Sequence, residues 1–168
     1  MTARNLRVPV PPPRQHEGMR VLSMGFAEVF VATHDEALKR AAALEKGAGV
    51  TGPAVRIDGI TDFEVEQLGD LAGQAVHAAG ADYELALVDV TSDALLGVPE
   101  AMVRALAELL TYESEGDANV LDDVAAAWAE QDDMPFDAAQ SRQYVQQLAA
   151  LATDVEKAER AGLYVWSE

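Results

Sequence analysis

With 168 residues, no cysteine and 29 acidic against 12 basic side chains, the chain carries a formal net charge of −17. That length suits one well-filled core, and the missing thiols exclude disulfides, thiolate metal sites and cysteine nucleophiles. No apolar run approaches the ~20 residues of a membrane-spanning helix and residues 1–13 lack a signal peptide's apolar stretch, so a cytoplasmic location with no membrane partner is expected.

Residues 1–18 contain Pro9, Pro11, Pro12 and Pro13 among arginines and polar side chains. Nothing there is periodic, so the stretch reads as a Pro-rich flexible tail ahead of a single domain over 19–168. Arg20 to Ala32 is rich in β-branched and aromatic residues and predicts a strand, bent at Gly25. Thr33 and Glu36 form a capping box that opens a helix to about Lys46, which Gly47, Gly49, Gly52 and Pro53 end. Ala54 to Ile60 alternates as a half-buried strand does, with Val55 and Ile57 between Arg56 and Asp58.

A second capping box, Thr61 with Glu64, opens a helix whose Leu68, Leu71, Ala72, Ala75, Val76 and Ala79 share one stripe up to Gly80. Tyr83 to Thr91 is the strongest strand signal, and Ser92 to Gly97 reads as its connection to a helix beginning at Pro99. Further helices follow from about Ala118, burying Leu121, Val124 and Trp128, and from about Asp137 to Arg160. Leu163 to Trp166 adds a last strand. The order β-α-β-α-β-α-α-α-β predicts an α+β domain, a sheet of three to four strands with about five helices packed mainly on one face.

His16, His34 and His77 complete no metal motif, and the aspartates of 122–137 do not reproduce the spacing of a calcium loop. The glycines at 47, 49 and 52 follow a helix and precede a strand, the reverse of a phosphate-cradling turn. No serine stands in a nucleophile elbow. Catalytic, cofactor-binding and metal-ligating residues are therefore expected to number none.

Charge gives the stronger lead. Residues 1–60 hold 8 Lys+Arg against 6 Asp+Glu, whereas residues 61–168 hold 4 against 23, a balance of +2 against −19. Such a surface repels nucleic-acid phosphates and attracts a basic protein. Glu113, Glu115, Asp117, Asp122, Asp123, Asp132 and Asp133 are the expected partner-binding acids, and Trp166 is the candidate aromatic anchor if Val165 faces inward, its other and preferred reading being packing in the core.

Val98-Pro99 with Val103 and Leu106-Ala107, Val124-Ala125 with Trp128-Ala129, Leu148 with Leu151-Ala152, and Leu163-Tyr164-Val165-Trp166-Ser167 together form a pattern over residues 85–168. It resembles a set of small bacterial proteins to which no activity is assigned. The resemblance covers about half the chain; it implies an architecture and carries over no catalytic residue.

The leading expectation is a non-catalytic acidic module that docks a basic protein, as an inhibitor or immunity protein docks a nuclease-like toxin. The alternatives are a small enzyme with a carboxylate pair or His77 in a cleft between the sheet and the C-terminal helices, and a homodimeric structural protein joined through its final strand. Monomer and homodimer both stay open.

Overall fold

A computed structural model describes residues 25–47, 52–77, 83–112 and 119–168; the proline-rich tail and the expected acids Glu113, Glu115 and Asp117 lie outside them. The described chain is α+β. Its elements are β1 (Phe26–Ala32), α1 (His34–Glu45), β2 (Ala54–Asp58), α2 (Asp62–Ala75), β3 (Ala86–Asp89), β4 (Ser92–Gly97), α3 (Glu100–Glu108), α4 (Val120–Ala129), α5 (Ala138–Lys157) and β5 (Gly162–Ser167).

The strands lie in the order β2-β1-β5-β4-β3, and every neighbouring pair is antiparallel. Period-two alternation sorts β1 between two cores. Ala27, Val29 and Val31 face the layer made by α2 to α5, while Phe26, Phe30 and Ala32 face α1. Covering both faces explains why this strand reads as an almost unbroken apolar run. β5 behaves likewise, with Leu163 and Val165 in the larger core and Trp166 in the smaller one beneath α1.

Local signals fix most element ends. Both expected capping boxes form, Thr33 with Glu36 and Thr61 with Glu64, and a third, Asp137 with Gln140, opens α5. The second helix ends earlier than its apolar stripe suggests. Its cap is Val76, and His77 follows with φ 56°.

Two features depart from the sequence reading. The sheet has five strands, because Ser92 to Gly97 pairs as β4 both with β3 and with β5. The expected long strand at 83–91 contracts to Ala86–Asp89, with a shift of register between Leu87 and Asp89. Secondly, β5 lies inside the sheet with β1 on one side and β4 on the other. Its backbone has no free edge for a second copy, so joining a homodimer by edge pairing of the final strand does not fit this topology.

Candidate functional site

The acidic residues are best located helix by helix. α2 carries Asp62, Glu64, Glu66 and Asp70 with no cation, and α4 carries Asp122 and Asp123 with no cation. These two helices are neighbours, with an open groove of about 260 Å³ between them, walled by Leu71, Gln74 and Ala75 on one side and by Asp123, Val124 and Ala127 on the other. α1, on the opposite face of the sheet, mixes Asp35, Glu36 and Glu45 with Lys39 and Arg40. Among the described helices α2 thus carries the most acids, and neither it nor α4 carries a basic side chain.

Local structure explains where the α4 acids stand. Asn119 caps the helix by accepting from the Leu121 N–H at 3.1 Å, and the first-turn aspartates complement the positive end of the helix dipole. Asp122 is held by Arg142 Nε of α5 at 2.6 Å, whereas Asp123 is exposed and lines the groove. Asp132 and Asp133 are also exposed but follow the far end of the helix, about 15 Å away at 1.5 Å per residue. The expected patch is therefore divided between the two ends of α4.

Trp166 does not serve as an exposed anchor. Its side chain is 3% exposed and packs against Phe26 with ring centroids 5.3 Å apart. Of the two readings of this side chain, packing in the core is the one the fold bears out, and an open face of the last strand is not. Both faces of the strand are covered, Val165 being 0% exposed at the same time.

A larger cavity, of about 490 Å³, opens where α3 begins, α5 ends and the chain enters β5. Val98, Glu100, Val103 and Arg104 form one wall, Val155 and Glu156 a second, and Ala161, Gly162 and Leu163 the floor. The link between α3 and the sheet is held by the Val98 N–H, which donates to the Leu163 carbonyl at 2.9 Å. Arg104 donates to Glu100 across one helical turn at 2.6 Å. This volume is within the range of small-ligand sites.

Sequence reasoning anticipated a cleft between the sheet and the C-terminal helices but none of its lining acids, since Glu100 and Glu156 sit 56 positions apart in sequence and carry no shared motif. His77 is absent from the lining; its ring lies 6.1 Å from that of Tyr112. Among the described residues, two side chains with displaced ionisation lie elsewhere. Asp89 is lowered by hydrogen bonds from the backbone and side chain of Thr91, and Tyr164 is raised by burial. Among the described residues no three His, Asp or Glu side chains are grouped to hold a metal ion, and no helix is long and apolar enough to cross a membrane.

Comparison with protein families, with curated proteins and with solved structures returns no match.

Proposed function

We propose that this protein is a non-catalytic binding module whose acidic helical layer docks a basic protein, in the manner of an inhibitor or immunity protein for a nuclease-like enzyme. The observation that supports this reading is the pairing of α2 with α4, six carboxylates and no cation on two adjacent helices. Part of that set has structural work: Glu64 closes a capping box, Glu66 accepts from the Leu85 N–H at 2.9 Å and Asp122 pairs with Arg142. Asp70 on α2 and Asp123 on α4 are exposed and available to a partner, Asp123 on the groove between the two helices. A field of one sign accelerates encounter with a basic surface and excludes acidic competitors.

Affinity capture from native lysate at low and at high salt tests the reading. The expected result is one basic protein retained at low salt, released at high salt, and lost from the double variant Asp70→Asn, Asp123→Asn. Retention that ignores both salt and the variant overturns it.

A further inference from the structure

We infer that the cavity between α3, α5 and β5 is a binding site for a cation on an aliphatic stem, an alkylguanidinium or alkylammonium group. The site is separate from the α2–α4 face and does not depend on the partner-docking reading.

Arg104 is already engaged by Glu100 at 2.6 Å, so that pair presents little net charge. Glu156, on the facing wall, has no ion pair among the described residues. The solvent-facing mouth of the cavity therefore offers one unmatched negative charge, on the exposed Glu156. The rest of its polar need is small, because Val98, Val103, Val155 and Leu163 supply hydrocarbon.

Those two properties select the ligand. An anion would meet the Glu156 carboxylate inside a protein of net charge −17, and the field of the whole molecule opposes its entry. A neutral apolar ligand would satisfy the walls and leave Glu156 unused. A cation carried on methylenes satisfies both, its stem against the valines and its head at the carboxylate, as long basic side chains do when they lie along apolar surface. The same group occurs in free alkylamines and in the arginine and lysine side chains of a polypeptide.

The experiment follows the methyl resonances of Val103, Val155 and Leu163 in the full-length protein. Titrants are n-butylguanidinium, the neutral isostere n-butylurea, and Nα-acetyl-arginine amide at millimolar concentration. Butylguanidinium is expected to shift these three residues, and butylurea is expected to leave them in place. Glu156→Gln should weaken binding about threefold to tenfold, and Ala161→Phe should abolish it by filling the floor. Stronger shifts with Nα-acetyl-arginine amide than with butylguanidinium would assign the site to a polypeptide side chain, and the reverse order to a free small molecule. Equal response to butylurea, unchanged affinity in Glu156→Gln, or shifts found only on α2 and α4 would overturn the inference. Since Asp70 and Asp123 are untouched in both variants, such a failure leaves the capture of a basic protein unaffected.

Discussion

Glu28 on β1 and Arg40 on α1 form an ion pair of 2.7 Å inside the smaller core, with side chains only 11% and 9% exposed. The Arg40 guanidinium also lies 4.7 Å from the centre of the Phe30 ring. Both charges have given up most of their water, and their pairing offsets part of that cost. Glu28→Leu removes this pairing from Arg40 and is expected to cost about 3–5 kcal/mol. The double variant Glu28→Leu, Arg40→Met is expected to recover the wild-type stability or exceed it. Urea denaturation of the two variants checks this, and equal destabilisation in both would show that the pair is replaceable by nothing of its shape.

A different constraint acts where α2 packs. Gly69 and Gly73 lie one turn apart on its buried side, although glycine inside a helix costs about 1 kcal/mol relative to alanine. A Cβ at Gly69 would stand 2.7 Å from Met102 Sδ, and one at Gly73 would run into the Tyr83 ring. The thioether is flexible and the ring is not. Gly73→Ala is therefore expected to lower stability by roughly 1–3 kcal/mol through overpacking, while Gly69→Ala is expected to be milder. Chemical-denaturation midpoints of the two variants, side by side, provide the measurement.

Tyr164 stacks on Phe30 with centroids 6.0 Å apart, and burial raises its phenol above the ordinary 10.0. The neutral phenol is thus favoured in the folded state. Below pH 10 both folded and unfolded chains keep the proton and nothing changes. Above it the unfolded chain releases its proton first, so this residue's contribution to stability is lost as pH rises towards the folded value. Ultraviolet absorbance of tyrosinate should show one group titrating late, and Tyr164→Phe should remove that group together with part of the alkaline loss of stability.

These residues also show what the sequence makes legible. Local chemistry reads well: Thr33, Thr61 and their glutamates announce two helix starts, and the apolar stripe around Trp128 announces a buried face. Long-range pairing reads poorly. Ser92 to Gly97 looks like a connection because Asp93 and Gly97 break its apolar pattern, and it becomes a strand only because β5 lies alongside to pair with it. The fate of Trp166 is only half legible for the same reason, since coverage of its face depends on α1, more than 120 positions away. The expected acids were legible as composition. Their division between the two ends of α4 was legible too, because a helix from about Ala118 that ends in Gln131-Asp132-Asp133 before Pro135 already separates Asp122 and Asp123 from Asp132 and Asp133.

Trp128 joins the two acidic helices from within. Its ring is fully buried, its Nε1 donates to the Glu64 carbonyl of α2 at 2.9 Å, and its ring packs at a tilt against Phe136 with centroids 5.0 Å apart. The indole therefore positions α4 against α2 by one directional bond as well as by volume. Trp128→Phe removes the donor and leaves a gap, so a loss of about 1–3 kcal/mol is expected from the bond, with a further cost from the space. Because Asp70 and Asp123 depend on the same packing for their mutual placement, the variant should also weaken salt-sensitive capture of a basic protein under conditions where it remains folded. Circular dichroism establishes folding, and binding measured on the folded variant reports whether the spacing of α2 and α4 matters. Undiminished binding would mean that the partner responds to the total charge and not to how these two helices are set.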